Sequence, residues 1–102
     1  MKISKTIRKL NDKLEASIKI IEGLAQEELE GFNKLEHTIQ FDLFPGSLLV
    51  NCYFKTHDYL DKAKKHEKRY QKKLGVLLLK HGIKLKDAKT NLHFLVQKPD
   101  KI

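Results

Sequence analysis

The chain has 102 residues, 21 Lys and Arg against 13 Asp and Glu, a formal net charge of +8 and a pI near 9.6. Only Arg8 and Arg69 among its cations are Arg; the rest are Lys. That length holds one domain, and 40% hydrophobic with 33% charged residues excludes a disordered chain, a collagen-like repeat and a multidomain enzyme.

The amino terminus, Met1-Lys2-Ile3-Ser4-Lys5, is basic but no continuous apolar stretch follows it, so no secretory signal is read there. From Ile3 the residues Ile3, Ile7, Leu10, Leu14, Ile18, Ile21 and Leu24 recur at steps of three and four, the spacing of an amphipathic helix. Gly23 and Gly31 interrupt that pattern, each costing about 1 kcal/mol relative to Ala in a helix. Lysines crowd the first turns and acids crowd Glu22 to Glu30, the unfavourable order for the dipole of one long helix. The pattern therefore favours a break near Gly23 over a continuous helix, with the helical part ending near Gly31 to Asn33.

Beyond it the period becomes two. Leu35, His37, Ile39, Phe41 and Leu43 alternate with polar residues as in a half-buried strand. Phe44-Pro45-Gly46-Ser47 has the composition of a type II turn, and Leu48 to Lys55 completes a hairpin. Thr56 is placed to cap a long helix running from about His57 until Gly82 stops it. Two short strands follow, around Ile83-Lys84-Leu85 and over Leu92 to Val96, then a tail from Gln97 to Ile102. The expected class is α+β: an amino-terminal amphipathic helix followed by a β-β-α-β-β unit, which a permuted ferredoxin-like sheet would accommodate. The single domain, residues 1–102, divides into a helical arm (1–34), a ββαββ core (35–97) and a loose tail (98–102).

The net charge is unevenly placed. Residues 1–20 carry +4, residues 21–43 carry −5 and residues 44–102 carry +9. On the second helix Tyr59, Ala63, His66, Tyr70, Leu74, Leu77 and Leu78 form the core-facing stripe. Lys62, Lys65, Arg69 and Lys72 lie on another side, flanked by Lys64, Lys68 and Lys73, and form a cationic ridge about 15 Å long that suits several phosphates. Lys is a point charge suited to neutralising a backbone, whereas base-edge readout favours Arg, so salt-sensitive binding with low sequence specificity is expected. Tyr53, with Asn51, Lys55 and His93, offers a second surface on an open sheet face where a base could stack, unless another subunit or the amino-terminal helix covers it.

Nothing in the sequence assembles a catalytic site. Cys52 lies in the strand Leu49 to Phe54 and reads as a buried, inert thiol. His37, His66 and His81 fall on or near apolar stripes, His93 has no second ligand in view, and His57-Asp58 reads as a helix start, so no metal and no cofactor is expected. The expectation is a small non-enzymatic basic protein of the cytoplasm that attaches to RNA, DNA or another acidic macromolecule. The alternative is a protein-interaction or assembly module that docks Ile3, Ile7, Leu10, Leu14, Ile18 and Ile21 on a partner or on its own copy, its acidic band meeting a neighbour's basic regions. A membrane-surface role for the same helix is disfavoured by Asp12, Glu15 and Glu22.

Overall fold

The computed structural model describes residues 5–40 and 47–96, the side chains of residues 5–7 excepted. In chain order it contains α1 (Lys5–Glu28), β1 (Phe32–Thr38), β2 (Leu49–Phe54), α2 (His57–Lys64), α3 (Glu67–Leu79), a 3-10 turn (Ala88–Thr90) and β3 (Leu92–Val96). The class is α+β, with one mixed sheet of order β1-β2-β3.

The apolar period of α1 yields one unbroken helix of 24 residues, and the expected break at Gly23 is absent. Ile21 and Ala25, on either side of the glycine, are fully buried, and packing of an apolar face outweighs the propensity cost of a single residue. The chain turns at Gly31 instead. Its φ of +79° is strained for any residue with a Cβ, and the Tyr59 ring fills the space a Cβ would need.

β1 runs antiparallel to β2, with Leu35 opposite Cys52 and Glu36 opposite Asn51, and a bulge falls between Phe32 and Lys34. The strand expected over residues 35–43 is thus shifted toward the amino terminus. Residues 41–46, which hold most of the expected turn, lie outside the described residues. Beside them, Gln40 donates its N–H to Ser47 Oγ at 3.0 Å, and that hydroxyl donates to Gln40 C=O at 2.7 Å. β3 runs parallel to β2, so the chain must cross over between them, and α2 and α3 are that crossover.

Thr56 caps α2 as expected, accepting the Tyr59 N–H at 3.2 Å. The single long helix expected from His57 to Gly82 is, however, two helices. α2 stops at Lys64, His66 N–H bonds back to Ala63 C=O at 2.8 Å in a tightened turn, and α3 restarts at Glu67. α3 then ends in a Schellman motif at Gly82, φ +80°, with Ile83 N–H on Leu78 C=O and Gly82 N–H on Leu79 C=O, both at 2.9 Å.

The strand expected at Ile83 to Leu85 is unpaired, and the described sheet has three strands. Ile83 is buried and Leu85 packs against the core, but the edge that a fourth strand would need beside β3 is already occupied. Glu67 Oε2 accepts the Phe94 N–H at 2.8 Å, and Gln71 Nε2 donates to Leu92 C=O at 2.9 Å. Two side chains one helical turn apart thus satisfy the outer main chain of β3.

The helices cover one face of the sheet. Val50, Cys52 and Phe54 of β2 are fully buried beneath them, as are Leu14, Ile21, Leu74 and Leu78 from above, while Leu49, Asn51 and Tyr53 on the other face are only partly covered. Phe32, Phe54, Phe94 and Tyr70 form a chain of ring contacts, with centroids 6.1, 5.2 and 5.6 Å apart. Burial pushes the Cys52 thiol up to about 12, in line with the inert thiol expected. At the start of β3, buried Asn91 donates Nδ2 to Leu48 C=O at 2.7 Å.

The two glycines respond oppositely to a methyl group. Gly23→Ala, which meets no neighbouring atom, raises the unfolding free energy by about 1 kcal/mol. Gly31→Ala lowers it by about 2 kcal/mol or more, because it combines a strained φ with a collision at Tyr59. Urea denaturation of the two variants beside the parent checks both signs.

Candidate nucleic-acid interface

The buried side of α3 is Tyr70, Gln71, Leu74, Leu77 and Leu78, and helical spacing turns Lys68, Arg69, Lys72 and Lys73 away from the sheet. On α2 the buried Ala63 places Lys62, Lys64 and Lys65 outward in the same way. All seven expected ridge residues are exposed. The turn at Lys65 and His66 bends the ridge into two segments, a feature the sequence did not signal because neither Gly nor Pro marks it.

Two of the seven cations are already paired. Lys64 Nζ lies 3.2 Å from Glu67 Oε1, and Arg69 Nη1 lies 3.3 Å from Glu28 Oε1. Lys62, Lys65, Lys68, Lys72 and Lys73 have no carboxylate within 4.0 Å among the described residues. The acidic band at the end of α1 therefore meets this chain's own Arg69, rather than only a neighbour's basic surface as the assembly alternative supposed. It also borders the ridge. A cleft of about 170 Å³ has Glu28, Leu29 and Glu30 on one wall and Lys62, Lys65 and His66 on the other. A larger cleft of about 300 Å³ is lined by Leu24, Arg69, Tyr70 and Lys73.

Glu28 is the hub between these clefts. Tyr70 Oη donates to its Oε1 at 2.7 Å, and the Arg69 guanidinium carbon stands 5.2 Å from the centre of the Tyr70 ring. The hydrogen bond from the Tyr70 hydroxyl outweighs desolvation and, with the weaker help of the Arg69 guanidinium, holds the Glu28 carboxyl below its ordinary value. Burial, and then the Glu28 carboxylate, raise the Tyr70 hydroxyl well above its ordinary range, so it stays a donor.

Tyr53 is not brought to this ridge, and Lys55 is exposed between β2 and the cap of α2. Tyr53 is on the uncovered face of the sheet, with Lys34 Nζ 5.6 Å from its ring centre, Asn51 and His93 beside it, and Leu95 in register with it. The ridge is on the far side of the helix layer. α1 packs on α3 and β1, so the amino-terminal helix does not cover the Tyr53 face. The assembly surface is also reduced. Leu14, Ile18 and Ile21 are buried in this chain's own core and Leu10 is half-buried against it, because the stripe packs across the sheet; Ile3 and the side chain of Ile7 lie outside the described residues.

His37 and His66 are half-buried, whereas His81, expected near the apolar stripe, is exposed where the chain leaves α3. His93 Nε2 sits 3.3 Å from Thr90 C=O. No cluster of three His, Cys, Asp or Glu residues able to hold a metal occurs among the described residues, and no described helix is long and apolar enough to cross a membrane. Glu67 and Gln71, which position α3, are polar residues with no periodicity of their own, and no sequence signal distinguishes them from the solvated face. Comparison with protein-family models, curated proteins and solved structures finds no match to this chain.

A carboxyl held low in the fold stabilises the native state above the pKa of the unfolded chain, and that contribution is lost as pH falls through the folded value. Glu28→Gln is therefore less stable than the parent at pH 7, and the difference closes as pH is lowered below the ordinary value of 4.5. Urea midpoints of both proteins at pH 7 and in acid measure this.

Proposed function

We propose that the protein is a non-catalytic accessory factor that attaches to RNA or DNA through backbone phosphates, using the outer surface of α2 and α3. The observation that supports this most is the set of five exposed lysines, Lys62, Lys65, Lys68, Lys72 and Lys73, with no carboxylate partner among the described residues. Carboxylates already occupy Lys64 and Arg69, so these contribute less to a phosphate surface unless binding displaces Glu67 or Glu28. An ammonium on a flexible stem neutralises a phosphate without reading a base, so the attachment discriminates poorly between sequences. The protein-assembly alternative is weakened by the burial of Leu14, Ile18 and Ile21.

Mixed-sequence RNA and DNA oligonucleotides, single- and double-stranded, test the reading by fluorescence anisotropy over a range of salt. Contacts from five lysines give a slope of log affinity against log salt of about −4.5 on duplex. Replacing those five lysines with Gln removes most of the binding and flattens the slope. Replacing exposed Lys9, Lys13 and Lys19 of α1 leaves the slope close to that of the parent. Equal losses per lysine replaced in the two sets would show net charge, not a ridge, to be responsible.

A further inference from the structure

Arg69 stands at the larger of the two clefts but is held by a group outside it. It lines the cleft of about 300 Å³ with Leu24, Tyr70 and Lys73, so two cations one helical turn apart face a single opening. Lys73 has no carboxylate within 4.0 Å among the described residues. Arg69 has Glu28, whose two carboxylate oxygens accept from the same nitrogen, Nη1, at 3.3 and 3.4 Å. Those contacts are long for charge-assisted hydrogen bonds and engage only part of the guanidinium fork, whereas Tyr70 Oη donates to the same carboxylate at 2.7 Å. Tyr70 is fixed in the core, so Glu28 is anchored and Arg69 is the partner that can leave. Both charged groups are exposed, which opens the pair to a competing anion.

We infer that the cleft between Arg69 and Lys73 is a subsite for a phosphate group, and that Glu28 competes with that phosphate for Arg69. A phosphate seated there accepts from the guanidinium fork on one side and from the Lys73 ammonium on the other. The fork is better used this way than by a carboxylate reached through one nitrogen. As the source of the phosphate, nucleic acid rests on the attachment proposed above. In that complex the subsite adds one oriented backbone contact to the five lysines, and the cost of parting Arg69 from Glu28 reduces what the contact contributes. Glu28 thus sets the strength of attachment without touching the ligand.

Because Arg8 and Arg69 are the chain's two arginines, the arginine Nε–H resonances in heteronuclear NMR report on Arg69 with Arg8 as an internal control. Titration with inorganic phosphate at constant ionic strength shifts the Arg69 resonance. Glu28→Gln lowers the phosphate concentration at half-shift by about threefold, the size of an exposed ion pair. Glu27→Gln, which removes the same charge from a neighbouring exposed position, lowers it by much less. Lys73→Gln raises it in the parent and in Glu28→Gln alike. With a mixed-sequence oligonucleotide, Glu28→Gln binds about threefold more tightly than the parent, and this gain vanishes when Arg69→Gln is present in both. An Arg69 phosphate response equal in parent and Glu28→Gln overturns the inference, as does a gain that Glu27→Gln reproduces or that survives Arg69→Gln. The expected phosphate response together with no oligonucleotide binding would support the subsite and overturn the nucleic-acid reading instead.

Discussion

The place of α3 is set by two side chains that reach past the helix to a strand. Glu67 accepts the Phe94 N–H and Gln71 donates to the Leu92 carbonyl, and the spacing of four residues fixes both the axial position of α3 and its rotation. Tyr70 is thereby held against Phe94, with Leu74 and Leu78 buried below it, and the hydroxyl of Tyr70 meets Glu28 at the end of α1. The same rotation turns Lys68, Lys72 and Lys73 outward. The cationic surface is a consequence of how an edge strand is satisfied. Glu67 also takes Lys64 as a partner across the turn that separates α2 from α3.

How much of this could be read from the residues depends on whether a feature repeats. α1 was legible because its apolar residues return at steps of three and four, and the Thr56 cap and the Gly82 stop were legible because each depends on the chemistry of one residue. At Gly23 local rules fail, since propensity and dipole both argue for a break while burial of Ile21 and Ala25 decides against it. The turn at Lys65 and His66 and the unpaired segment at Ile83 to Leu85 carry no local signal in the sequence. Both accompany bonds from Glu67 and Gln71 to β3, residues remote in sequence, and neither hydropathy nor turn composition registers such a bond.

The ridge itself was legible as seven cations on one side of a helical pattern, but their electrostatic state was not. A sum of +9 over residues 44–102 treats all cations alike, whereas pairing with Glu28 and Glu67 separates Arg69 and Lys64 from five unpaired lysines. The acidic band, which in sequence merely divides two basic regions, folds back to border the ridge at Glu28 and Glu30. Tyr53 belongs to a different surface, shared with Leu49, Asn51, His93 and Leu95 on the open face of the sheet. A strand of period two presents alternate faces, and only the placement of the helices tells which is covered.

In the proposed function the helix layer, and not the open sheet face, meets nucleic acid. Amide chemical-shift changes in heteronuclear NMR, followed as a mixed-sequence oligonucleotide is titrated at low salt, test this residue by residue. The largest shifts are expected on 62–73 and disappear as salt is raised. Shifts concentrated instead on Leu49, Asn51, Tyr53 and His93, with 62–73 unmoved, would contradict it.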